Sequence, residues 1–234
     1  MTAYAKSTNA DRDIKTVALV LRRTNLGEAD RLLDLLTPES RLTVLARASR
    51  KEKSRLAGGI ELFCLSNVQI HHSAKSNHNI LSSAKMQTFY RHILEDLPTL
   101  ELASSALKDI ERASRDADSP RYFDILNQLF SYLNQPTNSK SSTPPDLNLA
   151  SLWFRLNLKN EMGEELNLLF DSTGQKLRAD KTYAWDPLES AFREPGPITA
   201  NHIKFLRLAL VSPLALLPKV KGYANLLKDL ETVV

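Results

Sequence analysis

The chain has 234 residues, 42% of them hydrophobic, which is enough apolar material for one large or two small packed domains. Its one cysteine, Cys64, excludes an internal disulfide and any four-cysteine zinc site. The net charge of +4 is unevenly placed: residues 1–80 hold 13 Lys and Arg against 8 Asp and Glu, whereas residues 81–234 hold 18 against 19.

Residues 1–13 lack periodicity and read as a flexible leader, without the basic, apolar and small-residue regions of a secretory signal. Thr16-Val17-Ala18-Leu19-Val20-Leu21 is a β-type apolar run, closed by a turn at Thr24-Asn25-Leu26-Gly27, where Gly27 supplies a positive φ. Arg31–Leu36 reads as a second strand, ended by Thr37-Pro38-Glu39-Ser40. In the third, Leu42, Val44, Ala46 and Ala48 alternate with Arg41, Thr43, Leu45, Arg47 and Ser49. Successive side chains point to opposite faces, so one face is small and apolar and the other basic. Residues 59–71 predict a fourth strand, with Ile60, Leu62, Cys64, Val68 and Ile70 on one face, and His78–Ser83 a fifth. Five short strands in about 80 residues fit a small barrel, and pattern alone does not separate the barrel types.

Beyond residue 84 the period turns helical. Helices are predicted over Met86–Leu97, Thr99–Arg115, from Ser119-Pro120 through Leu133, over Leu147–Glu161, Thr199–Val211 and Lys219–Leu230. Residues 134–146, rich in Ser, Thr, Pro and Asn, predict a loop, and residues 171–198, with Gly174, Pro187, Pro195, Gly196 and Pro197, an irregular segment. The longest apolar run, Leu208–Leu217, is broken by Ser212 and Pro213 and falls far short of the roughly 20 residues of a membrane span.

The strongest site signal is residues 41–55, where Arg41, Arg47, Arg50, Lys51, Lys53 and Arg55 face a single acid, Glu52. Such an excess marks a polyanion partner, because cations neutralise phosphates and release their counterions. Arg22 and Arg23, at the end of the first strand, extend the set. Phe63 is the sole aromatic between residues 5 and 88, and a strand phenylalanine belongs more often to a core, so base stacking contributes little here. His71, His72 and His78 cluster near Cys64, yet adjacent strand residues point to opposite faces and cannot converge on one metal. No phosphate-cradling glycine loop and no nucleophile elbow is present. Glu28 and Asp30 precede Arg31 and read as turn-fixing ion pairs rather than acid–base catalysts. Trp153 and Trp185 read as core.

Two stretches carry a family resemblance: Val20-Leu21-Arg22-Arg23-Thr24-Asn25-Leu26-Gly27-Glu28-Ala29-Asp30-Arg31-Leu32-Leu33 and, some thirty residues on, Lys53-Ser54-Arg55-Leu56-Ala57-Gly58-Gly59-Ile60-Glu61-Leu62-Phe63. Together they resemble the N-terminal domain of the RecO family of bacterial recombination mediators. The resemblance covers the first third of the chain well. It implies an α+β multidomain fold, with an oligonucleotide-binding (OB-fold) barrel over residues 14–84 followed by an all-helical domain over 85–234. It implies a cytoplasmic, nucleoid-associated DNA-binding protein that is not an enzyme and needs no cofactor. Such a protein binds single- and double-stranded DNA, promotes annealing, and acts with RecR to load RecA onto DNA coated by single-strand-binding protein. On this reading Arg22, Arg23, Arg41, Arg47, Arg50, Lys51, Lys53 and Arg55 contact DNA. The acidic, apolar C-terminal tail of single-strand-binding protein sits in a groove of the helical domain, with Arg155, Lys159, Lys204 and Arg207 as candidate cations. Many RecO proteins carry paired cysteines in a zinc module of the helical domain. The corresponding segment here, about 166–195, has none, so no metal is expected. The alternative is a barrel that binds RNA or ribosomal partners without mediator activity.

Overall fold

The computed structural model describes residues 12–72, 79–136, 144–230 and 233. Residues 1–11 of the expected leader, His78 and the middle of the expected loop 134–146 lie outside the described residues. The chain folds as two compact units: Met1–Phe89 with Ser114–Phe123, and Tyr90–Ala113 with Asp124–Val234.

The first unit is a closed five-stranded barrel, with strands β1 Arg12–Leu26, β2 Asp30–Leu36, β3 Arg41–Ala46, β4 Cys64–His72 and β5 Asn79–Phe89. Around the barrel the order is β1-β2-β3-β5-β4, with β1 returning to β4, and every pairing except β3 with β5 is antiparallel. This is the OB-fold expected. β1 is long because it serves two partners: Arg12–Leu19 pairs with β4 and Leu19–Leu26 with β2, with a register shift between Val20 and Arg22. A bulge of this kind bends a strand and raises its twist, which a small barrel requires for closure. Inside lie Ala18, Val20, Leu33, Leu35, Val44, Ala46, Ile60, Val68 and Ile70. The expected alternation in β3 holds, with Val44 and Ala46 fully buried and Leu42 packed at the edge of the same cluster.

Four expectations are corrected in this unit. β1 continues past Arg22 and Arg23 to Leu26, so the turn starts at Gly27, at φ +56°. β3 ends at Ala46, and Ala48 turns the chain at φ +50°. Residues 59–63 are not strand: a 3-10 turn spans Ala57–Gly59, and β4 begins only at Cys64. No helix starts at Met86, because β5 runs on to Phe89 and a short 3-10 turn follows at Arg91–Leu94. Two register shifts against β4 break the alternation of β5, so its period of two is invisible in the sequence. The 3-10 turn explains Gly59 of the Gly58-Gly59 pair. A Cβ on Gly59 would sit 2.5 Å from the Ala84 carbonyl oxygen of β5, whereas one on Gly58 would meet nothing within 4 Å.

The second unit is mainly helical. The helices of the chain are α1 Leu97–Asp116, α2 Pro120–Leu133, α3 Leu147–Glu161, α4 Ala200–Val211 and α5 Tyr223–Leu230, of which the ends of α1 and α2 near residue 118 group with the barrel. The starts of the first three follow from side chains that satisfy otherwise unpaired amides. The Asp96 carboxylate accepts from the Thr99 amide, the Ser119 hydroxyl from Arg121 and the Asp146 carboxylate from Leu149. Buried Asn157 donates to the carbonyls of Trp153 and Ala209, tying α3 to α4, and Trp153 is core as expected, its indole nitrogen donating to Ser212. The expected irregular segment contains a two-stranded hairpin, β6 Tyr183–Asp186 with β7 Ala191–Ile198. Pro195 and Pro197 lie between Arg193 and Ile198, where the register against β6 shifts and no ladder pair requires an amide from them. Among the described residues no helix is long and apolar enough to cross a membrane.

Candidate nucleic-acid interface

The basic segment splits into two sets once the barrel forms. Arg47, Arg50, Lys51, Lys53 and Arg55 are exposed on the connection between β3 and β4. Among the described residues, none of Arg47, Lys51, Lys53 and Arg55 has a carboxylate within 4.0 Å, and Arg50 donates to the Gly27 carbonyl at 2.9 Å, not to an acid. Five cations thus stand within residues 47–55, where the single acid is Glu52, and among the described residues none of the five is paired with a carboxylate.

Arg22, Arg23 and Arg41 are different. The register sets Arg22 opposite Asp34, and Asp34 opposite Thr43. The Asp34 carboxylate lies 3.0 Å from Arg41 and 3.8 Å from Arg22, and accepts from the Thr43 hydroxyl at 2.7 Å. Arg41 keeps only 14% of its side chain exposed, and its backbone amide donates to Asp118. Arg23 donates to Glu61, which also lies 3.9 Å from Arg31. These arginines reach a phosphate only by giving up a carboxylate, so their net contribution is smaller than that of the open set. Sequence reasoning missed the two acids, Asp34 and Glu61. The signal was partial: Asp34 is one residue out of phase with the buried Leu33 and Leu35, which places it on the outer face.

The connection is fastened to the turn between β1 and β2. The Asp30 carboxylate accepts from the Ala48 amide at 2.7 Å, and the Arg50 amide donates to the Ala29 carbonyl at 2.9 Å. Asp30 does fix the turn region, but through a backbone amide rather than the expected ion pair; Arg31 turns to Glu61 instead.

Other candidate groups are accounted for separately. Phe63 is buried at φ +57° and offers no stacking platform. His71 pairs with Asp13 at 2.8 Å and His72 with Asn79 at 2.6 Å. Among the described residues no three His, Cys, Asp or Glu side chains are placed to hold a metal. Two cations outside the predicted set, Lys15 and Lys85, line a groove of about 530 Å³ across β1, β4 and β5 with Val17, Asn67, Val68, Gln69 and Ser83.

On the helical unit, a groove of about 510 Å³ runs between α4 and α5, walled by Phe205, Leu208, Val220 and Leu226, with Lys204 and Lys221 on its lining. Of the four cations singled out from the sequence, Lys204 lines this groove. Arg207 donates to the Leu168 carbonyl, and Arg155 and Lys159 lie on α3 outside the lining. Lys221 was missed: it falls inside the helix expected over Lys219–Leu230, whereas α5 begins only at Tyr223 and leaves Lys221 on the segment before it. In the segment corresponding to the zinc module, Tyr183 and Phe192 are fully buried, and Trp185 packs on Phe192 with ring centroids 5.1 Å apart. Lys181 pairs with Glu194 at 2.6 Å, and Arg193 with Asp186 at 3.1 Å.

Comparison with known proteins agrees with this architecture. The family described as "Recombination protein O N terminal" matches residues 12–90, which include all five barrel strands. The DNA repair protein RecO of Dehalococcoides mccartyi (strain 195) is 28% identical over 236 residues, spanning 95% of this chain and 88% of that protein. The DNA repair protein RecO of Myxococcus xanthus is 30% identical over 204 residues, spanning 84% and 78%. That of Heliobacterium modesticaldum is 31% identical over 204 residues, spanning 85% and 69%.

Proposed function

The chain belongs to the RecO family, and from that we propose that it is a non-enzymatic mediator of DNA repair and recombination, binding single- and double-stranded DNA through the open cations of its barrel. The observation that carries the reading is the group of five exposed cations, Arg47, Arg50, Lys51, Lys53 and Arg55, none of them paired with an acid among the described residues. Cations without countercharge are those whose association with phosphate releases the most counterion, which gives affinity without sequence preference. The lack of an exposed aromatic on this connection fits a binder that holds the backbone rather than the bases. Annealing and the loading of RecA together with RecR follow as the mediator's work.

The second part of the proposal concerns the partner tail. A peptide ending in acidic and apolar residues needs apolar walls and a cation for its carboxylate. The α4–α5 groove supplies both, with Lys204 and Lys221 beside Phe205, Leu208 and Leu226. It supports binding of the C-terminal tail of single-strand-binding protein.

Fluorescence anisotropy of a labelled poly-dT oligonucleotide across a salt series tests the DNA part. With about four to six phosphates neutralised, log affinity falls with log salt at a slope of roughly −3 to −4. The combined Arg47→Ala, Arg50→Ala and Lys51→Ala variant gives a shallower slope. Parental affinity at every salt concentration in that variant would remove the patch as the site.

A further inference from the structure

The local charge around the basic connection makes Asp30 an anomaly. A carboxylate beside a site for polyanions weakens it, and Asp30 has no ion pair to explain its presence among the described residues. Its contact is with a backbone amide. The Asp30 Oδ1 accepts from Ala48 at 2.7 Å, at the residue that turns the chain out of β3 in the left-handed region, at φ +50°. That conformation is unfavourable for any residue with a Cβ and persists only where the surroundings hold it. Two further bonds run to the same turn: the Arg50 amide to the Ala29 carbonyl and the Arg50 guanidinium to the Gly27 carbonyl, each 2.9 Å. The Lys51 amide then bonds back to the Ala48 carbonyl at 3.2 Å. The segment carrying Arg47, Arg50 and Lys51 is therefore tied at its first turn to the β1–β2 turn.

We infer that Asp30 is a positioning residue for nucleic-acid binding: it latches the cationic connection in the conformation that meets the phosphates, and its benefit outweighs the repulsion of its own charge. The inference rests on the DNA-binding reading above. Its physical basis is preorganisation, since a connection already ordered loses less freedom when the nucleic acid arrives. Asp30 acts not on the phosphates but through the Ala48 amide, at the turn that leads into Arg50 and Lys51.

Asp30→Asn and Asp30→Ala separate latch from charge, because both remove the same negative charge while only asparagine keeps an acceptor for the Ala48 amide. In the full chain, with poly-dT as probe, Asp30→Ala binds about three- to tenfold more weakly than Asp30→Asn. Asp30→Asn binds at least as tightly as the parent. Amide hydrogen exchange is the second readout: Ala48 and Arg50 lose protection in Asp30→Ala and keep it in Asp30→Asn, while Leu33 and Val44 in the barrel stay protected in both. Should Asp30→Ala fail to fold, Asp30→Glu tests the latch at constant charge, since one added methylene displaces the acceptor; it binds more weakly than the parent. Equal affinities for the Asn and Ala variants, or unchanged exchange at Ala48, overturn the latch and leave the DNA reading intact. Parental binding by the Arg47, Arg50 and Lys51 triple variant overturns the DNA reading, and the latch's role in binding with it, whatever the exchange data show.

Discussion

Burial pushes the Cys64 thiol up to about 11, with the nearby Glu61 carboxylate adding to the effect and Arg23 opposing it. At neutral pH the side chain is a protonated, inaccessible thiol, 1% exposed, with the Met86 sulfur 3.5 Å away. A thiolate is the reactive form, so a thiol-reactive chromophore modifies the native protein slowly at pH 8 and releases its full signal only on unfolding. Rapid modification of the folded chain would contradict this burial. The same shift has a sign for stability. Since the folded value lies above the ordinary 9.0, the unfolded chain loses its proton first. The contribution is fully present below about 9 and is lost as pH rises towards about 11. The stability difference between the parent and Cys64→Ala, measured in denaturant, therefore narrows over that interval. Residue by residue, the sequence already marked Cys64 and Phe63 as core, because each stands in an apolar stretch. It did not show that Arg23 and Arg41 come with acids attached, because Glu61 and Asp34 meet them only through strand pairing.

Two elements owe their form to close packing, one of backbone and one of side chains. The 3-10 turn before β4 lays Gly59 against β5, where a methyl group would sit 2.5 Å from the Ala84 carbonyl oxygen and 2.8 Å from its Cβ. Backbone cannot retreat as a side-chain tip can. Gly59→Ala therefore lowers barrel stability by about 2 kcal/mol or more, and Gly58→Ala, with open space around it, changes it by less than about 1 kcal/mol. Denaturant midpoints for the two variants make the comparison, and equal midpoints would discard the packing argument. The β6–β7 hairpin is held by Tyr183, Trp185 and Phe192 together with ion pairs across the strands. Phe192 is fully buried, so Phe192→Ala costs roughly 3–5 kcal/mol. A chelator is expected to leave the melting temperature of the parent unchanged, since among the described residues no three His, Cys, Asp or Glu side chains are placed to hold a metal; a lowered value in chelator, or one zinc per chain by elemental analysis, would show otherwise.

Across the whole chain, charge and architecture divide together. Residues 1–80 carry the positive excess and include four complete barrel strands, and residues 81–234 are near neutral and mostly helical. The expected consequence is a double dissociation in the intact protein. The Arg47, Arg50 and Lys51 triple variant loses at least tenfold in poly-dT affinity at about 0.1 M salt and keeps its affinity for a peptide copy of the single-strand-binding protein tail. Lys204→Ala combined with Lys221→Ala does the reverse, weakening the peptide severalfold and sparing DNA. Titrations of both ligands against both variants decide it; loss of both activities in either variant would refute the division. Sequence alone determined the features that depend on neighbours along the chain. The alternation that buries Val44 and Ala46, the capped start of α2, and the crowding of cations between Arg47 and Arg55 are all local patterns. Tertiary structure alone decided what depends on partners far along the chain. The bulged β5, the hairpin at 183–198, the acids that occupy Arg23 and Arg41, and the Asp30 contact that ties down the cationic connection each require a second segment, brought close only by barrel closure or hairpin pairing. Periodicity reports which face of a strand is apolar, because that is set within one strand; register and countercharge are set between strands, and a one-residue shift in pairing would redistribute them all.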